Sequence, residues 1–145
     1  MTILTQIKKD QLVARKEGNK MVREVLTTLI SDAEMIGKND GNRPVEDIEV
    51  IRLIKKYIKT IEENIKIATD GRYITGQEFE KIILEGYLPK QLSKEELVIA
   101  IDTILVDNDI LTMKGMGLVM KSLMEKYEGQ FDGKEASSIV KSRLA

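Results

Sequence analysis

Residues 45–69 read VEDIEVIRLIKKYIKTIEENIKIAT. Ile48, Ile51, Ile54, Ile58, Ile61, Ile65 and Ala68 recur at steps of three and four, a period near 3.5. Such a seam faces one side of a helix and is long enough to pack along a neighbour. Working outward, Val22, Val25, Leu26, Leu29, Ile30, Ala33 and Ile36 fall on one face of a second predicted helix over 20–36. Between them, residues 37–43 hold two glycines and two asparagines, and Pro44 suits the first turn of a new helix. Residues 20–36 and 45–69 are therefore predicted to pair as an antiparallel hairpin.

The same periodicity continues downstream. Asp70-Gly71-Arg72 is read as the end of the long helix. Thr75-Gly76-Gln77-Glu78 has capping-box spacing and is predicted to open a helix carrying Phe79, Ile82, Ile83 and Leu84. Leu88-Pro89 closes it, because proline disfavours a helical conformation in the residue before it. A second capping box, Ser93-Lys94-Glu95-Glu96, opens a helix through Leu97, Ile101, Ile104 and Leu105, which Asp107-Asn108-Asp109 ends. Thr112 is the predicted cap of a helix over 113–127, and Asp132 of one over 133–144. The first residues, from Met1 to Thr5, also have the look of a capped helix start. No strand-like alternation persists and no internal repeat is evident. The expectation is an all-α chain: an N-terminal helical domain, 1–90, built on a long hairpin, and a small three-helix C-terminal domain, 91–145, with the boundary in 87–93.

Composition bounds the chemistry. With 145 residues, 42% hydrophobic and 32% charged, the chain has the balance of a soluble helical protein. Aromatics are 4% with no Trp, which disfavours a broad platform for stacked bases. The formal net charge is −1, so attraction to nucleic acid must come from a local patch. No run approaches a membrane span and no signal peptide is read at the start, so no membrane partner is expected. The absence of cysteine fits a cytoplasmic location. With neither His nor Cys, serine triads, cysteine dyads and the usual zinc sites are excluded.

Among possible sites, Arg52, Lys55, Lys56 and Lys59, extended by Lys66, follow i, i+3, i+4, i+7 spacing opposite the isoleucine seam. They could meet successive phosphates. The same residues are equally the solvated back of an amphipathic helix, diluted by Glu62 and Glu63. From Met113 onward there are 6 basic residues, Lys114, Lys121, Lys126, Lys134, Lys141 and Arg143, against 4 acidic. Each would act as a point charge near a phosphate and carry no sequence information. Met113, Met116, Met120 and Met124 form a stripe that reads either as core filler or as an adaptable binding groove. Gly115-Met116-Gly117 lacks the third glycine of a dinucleotide fingerprint and the lysine of a P-loop, so no cofactor is expected. Asp107-Asn108-Asp109 lacks the glycine and terminal glutamate of an EF-hand loop, and no metal site is expected. Glu62-Glu63 and Glu95-Glu96 are adjacent on their helices and point apart, so no catalytic pair is assigned.

Tyr87-Leu88-Pro89-Lys90-Gln91-Leu92-Ser93, the Met116-Gly117 and Val119-Met120 pairs, and Gly129 with Asp132-Gly133-Lys134 ahead of Ile139-Val140-Lys141 together resemble the GatB/YqeY family. Asp70-Gly71-Arg72 is similar to a glycine–arginine turn of its N-terminal half. The resemblance implies an N-terminal helical lobe followed by a three-helix lobe related to the tail of the tRNA-dependent amidotransferase B subunit, which helps hold tRNA. It implies tRNA as partner, or the amidotransferase and aminoacyl-tRNA synthetase components that handle misacylated tRNA. In the full amidotransferase, chemistry belongs to domains absent from this sequence. A carbon–nitrogen ligase activity using glutamine as amide donor would be inherited from the family name alone. The expectation is an accessory RNA-binding role without an active site, with a protein adaptor as the alternative. Where the family often has a basic residue, this chain has Gln130. Phe131 beside it could stack on a base, anchor a partner together with Met116 and Met120, or plug the lobe's core.

Overall fold

The computed structural model describes residues 2–144. Among them are seven α-helices and one short 3-10 helix, with no strand, which establishes the all-α class. The chain divides into two compact units, Met1–Leu88 and Pro89–Ala145.

The N-terminal unit holds α1 (Ile3–Glu17), α2 (Lys20–Lys38), α3 (Asp47–Ile67) and α4 (Gly71–Glu85). Thr2 caps α1, its hydroxyl accepting from the Thr5 amide at 3.1 Å. Gly18 ends α1 in the left-handed region (φ 73°), and Asn19 immediately caps α2 by accepting from Val22. This two-residue turn folds α2 back along α1. Lys8 accordingly meets Glu34, and Gln11 meets Thr27, the pairs running in opposite directions along the two helices. The predicted partnership of α2 with α3 is present, but the more extensive packing joins α1 to α2 and α3 to α4. Ile7, Leu26, Leu29, Ala33, Val50, Ile54, Ile61 and Leu84 form the core. The isoleucine seam supplies its α3 side.

Two boundaries differ from expectation. Pro44 lies ahead of α3, not in its first turn; the helix opens at Asp47, with Glu49 reaching back to accept from the Glu46 amide at 3.1 Å. Asp70-Gly71-Arg72 begins α4 and does not end α3, because the Asp70 carboxylate accepts from the Arg72 amide at 2.9 Å. Thr75 is mid-helix, donating to the Gly71 carbonyl one turn back at 2.9 Å. Asp at an N-cap outcompetes a later threonine because it caps as well and leaves a link of only residues 68–70.

The α2–α3 connection is held by Arg43. Its guanidinium grips Glu49 at 2.7 and 2.9 Å and donates to Asp40 at 2.6 Å. The Arg43 amide also donates to the Gly37 carbonyl at 3.2 Å. Gly37 is buried, and a Cβ there would overlap the Arg43 carbonyl.

The C-terminal unit holds α5 (Lys94–Asp107), the 3-10 turn Met113–Gly115, α6 (Met116–Tyr127) and α7 (Gly133–Leu144). The Ser93 capping box forms as expected: Glu96 donates its amide to the Ser93 hydroxyl, and Ser93 its amide to the Glu96 carboxylate, both at 3.1 Å. Asp132 caps α7 by accepting from the Lys134 amide at 3.0 Å. The expected helix over 113–127 is split. Thr112 makes no side-chain cap bond, and the first three residues form the 3-10 turn, with Gly115 pressed against Ile110 where a side chain would not fit. Leu97, Ile101, Ile104, Val119, Leu123 and Val140 are central to this second core.

Gly37→Ala should cost about 1–3 kcal/mol in urea unfolding, the range for overpacking. Gly76→Ala on α4, with no atom within 4 Å of the added methyl, should gain about 0.5–1 kcal/mol from helix propensity. Separately, Arg43, and then the Glu46 amide, hold the Glu49 carboxyl down at about 2. Its folded value lies below the unfolded one, so its contribution is complete above the unfolded value of about 4.3 and is lost as pH falls toward 2. Glu49→Gln should therefore flatten the stability profile between those values and leave the profile above pH 5 parallel to the parent's.

Candidate functional site

The basic residues expected to meet phosphate fall in both units. In the C-terminal unit α6 turns Val119 and Leu123 inward and α7 turns Ala136, Val140 and Leu144 inward. By helical period, Lys121 then lies on the back of α6, and Lys134 and Lys141, seven residues apart, share the back of α7. Lys114 stands on the 3-10 turn and Lys126 in the last turn of α6. All five are exposed, and none forms an ion pair with a described residue. Arg143 differs: it pairs with Asp102 of α5 at 3.1 Å, its charge already answered within the fold.

In the N-terminal unit the i, i+3, i+4, i+7 series lies on α3, with its four members in differing surroundings. Arg52 and Lys59 are exposed. Lys55 is half-buried and engaged within the fold. Lys56 is exposed and lines a groove.

Of the residues considered for partner binding, Phe131 is only 9% exposed and belongs to the second core. Its ring occupies the plugging position among the three roles open to it from sequence. Met116 and Met120 are half-buried and pack against that core, whereas Met113 and Met124 are exposed. The unit's most exposed large apolar side chains are Ile99 (66% exposed), Val106 (74%) and Leu111 (84%).

The segment 87–93 has a role that sequence alone did not assign. Tyr87 donates its hydroxyl to Asp10 at 2.6 Å, and burial, reinforced by that carboxylate, pushes the phenol's ionisation up. Leu88 packs against the first core. Gln91 donates to the Gly129 carbonyl at 2.8 Å, and Leu92 donates its amide to the Gln130 carbonyl at 2.8 Å. Position 130 thus contributes a backbone acceptor whatever its side chain.

A groove of about 880 Å³ opens between α2, α3 and α4. Val25, Ile61 and Leu84 give it an apolar floor; Thr28, Thr60, Asn64 and Gln77 add neutral polar groups. Glu80 projects into it, half-buried and without a hydrogen bond or ion pair to a described residue, and burial raises its carboxyl above the usual range. Neighbouring Lys81 is turned away, bonded to Glu62 at 3.2 Å and near Glu85 at 3.7 Å. Nothing in the one-dimensional spacing marked this groove, because it depends on how far α4 stands from α2.

Among the described residues, no three or more of His, Cys, Asp and Glu lie together as a possible metal ligand set, and no helix is long and apolar enough to cross a membrane. Truncating the buried ring, Phe131→Ala, should cost about 3–5 kcal/mol in the C-terminal unit. Loss of hydrogen-exchange protection in α5–α7 would report it; unchanged protection would contradict the placement of the ring.

Comparison with known protein families matches residues 4–144 to the family described as Yqey-like protein. No curated protein gives a match. The match spans both helical units and nearly the whole chain, and the protein belongs to the YqeY-like family.

Proposed function

We propose that the protein is an RNA-binding accessory factor, with tRNA as its target, that holds the phosphate backbone through the C-terminal unit. The observation that carries this reading is the set of five exposed lysines, Lys114, Lys121, Lys126, Lys134 and Lys141, none ion-paired with a described residue, in a stretch where basic groups outnumber acidic ones. An unpaired surface ammonium keeps its full charge for a phosphate and gives up no internal ion pair on binding. The family's resemblance to the amidotransferase tail supplies tRNA as the kind of RNA. Arg52 and Lys59 on α3, with exposed Lys56 at the groove's edge, would extend the contact, while Lys55 is engaged within the fold.

A second reading, a protein adaptor docking on an amidotransferase or synthetase component, is favoured by the exposure of Ile99, Val106 and Leu111. It does not need Phe131. The two readings differ in salt dependence.

The test is binding of a labelled tRNA pool at two salt concentrations to the protein and to the triple variant Lys121→Ala, Lys134→Ala, Lys141→Ala. Phosphate contact predicts a logarithmic salt slope that falls by about 0.7–0.9 for each contact removed. Failure of the parent protein to bind at low salt would sink the RNA reading and leave the adaptor. A variant that binds as tightly and as salt-dependently as the parent would move the contact away from these helices.

A further inference from the structure

We propose that the groove between α2, α3 and α4 is a binding site for a small organic cation, a primary amine carried on an aromatic or aliphatic body, with its ammonium seated at Glu80. This site is in the N-terminal unit and does not rest on the RNA reading.

Three observations converge. The groove's volume, about 880 Å³, lies within the span of small-molecule sites, and its floor of Val25, Ile61 and Leu84 offers apolar contact to a ligand body. Glu80 is a half-buried carboxylate in that groove with no partner among the described residues. A carboxylate removed from water and left unpaired is a cost that a cation at the site would offset. Tyr57 and Tyr73 add aromatic faces, to which an ammonium is attracted. The Tyr57 hydroxyl is bonded to Asp32, which fixes its ring.

The other charges that line the groove define the ligand further. From α2, Lys20 and Glu24 face each other at 3.9 Å and largely cancel. From α3, Lys56 lines the groove but forms no ion pair with Glu80. It is the internal competitor for that carboxylate, so the site suits a ligand with a single ammonium and an apolar remainder more than a polycation. Neutral Thr28, Thr60, Asn64 and Gln77 leave the rest of the surface open to hydrogen bonding with any heteroatom on the body.

The sign of the pH dependence follows. A cation prefers the ionised form of Glu80, so binding should be lost as pH falls through that carboxyl's raised range, and again as pH rises through the amine's own ionisation.

The experiment is an amide chemical-shift titration of the full chain with tryptamine and with its uncharged counterpart indole-3-ethanol, repeated on Glu80→Gln. The expected result is shifts clustered at Thr28, Asn64, Tyr73 and Gln77, with tryptamine bound about fivefold or more tightly than the alcohol. In Glu80→Gln the preference should disappear while the alcohol's affinity stays the same. Equal affinity of the two ligands for the parent protein would overturn the proposal. So would a preference that survives Glu80→Gln, shifts that cluster outside the groove, or no shifts at all.

Discussion

Every core residue is apolar: among the described residues no polar or charged side chain is buried in either unit. The rest of the structure depends on this constraint. A chain that is 32% charged can keep its cores dry only by placing each helix so that one narrow stripe faces inward and the remainder stays in water. It follows that polar chemistry here is a property of surfaces. The cores hold no carboxylate or lysine whose ionisation could be tuned deep in the protein. Glu80, whose carboxyl burial pushes upward, stands at an open groove.

The segment 87–93 shows how much of a family signature is architecture. Tyr87 and Leu88 are fixed on the first core, Gln91 and Leu92 on the second, and Ser93 caps α5. These five residues are accounted for by a hydrogen bond, a cap or buried area without invoking a ligand. The turn that accepts from Gln91 and Leu92 does so through the carbonyls of Gly129 and Gln130, so its binding partner within the fold is blind to side chain 130. The resemblance carried by these motifs therefore identifies the scaffold with confidence grounded in packing, while function has to be argued from what the scaffold leaves exposed.

The fold class and most helix extents were legible in the sequence because the apolar steps of three and four are a local signal. The isoleucine seam of α3 and the Ser93 capping box needed no tertiary information. The start of α4 was misread because Asp70 and Thr75 both satisfy the chemistry of a cap, and local pattern cannot rank them. The pairing of α2 with α3 was legible, but the closer packing of α1 on α2 was not, because α1 carries fewer strongly apolar positions, with only Ile7 and Ala14 buried. Its packing against α2 is enforced by the Gly18–Asn19 turn. The basic residues were visible by composition, but their accessibility was not. Arg143 is held by Asp102, and Lys56 faces the groove, outcomes set by neighbours distant in sequence. Phe131 kept three roles open until packing placed it in the core.

Pairing sorts the cations into two kinds. Lys8 with Glu34, Lys81 with Glu62, and Arg143 with Asp102 are surface pairs, each worth no more than about 1 kcal/mol to stability. Their larger consequence is to occupy charge. A lysine bonded to a carboxylate meets a phosphate only by exchanging one partner for another, and the exchange returns little. Lysines left alone face no such exchange, and in the C-terminal unit they stand on α6, α7 and the turn before them, while α5 supplies Asp102 to quench the one arginine. Under the proposed RNA reading, such a surface would bind by number and placement of point charges, with shape rather than base identity setting its preference. With a formal net charge of −1 the molecule as a whole adds little long-range attraction for an anion, so under that reading any attraction would have to come from these local lysines.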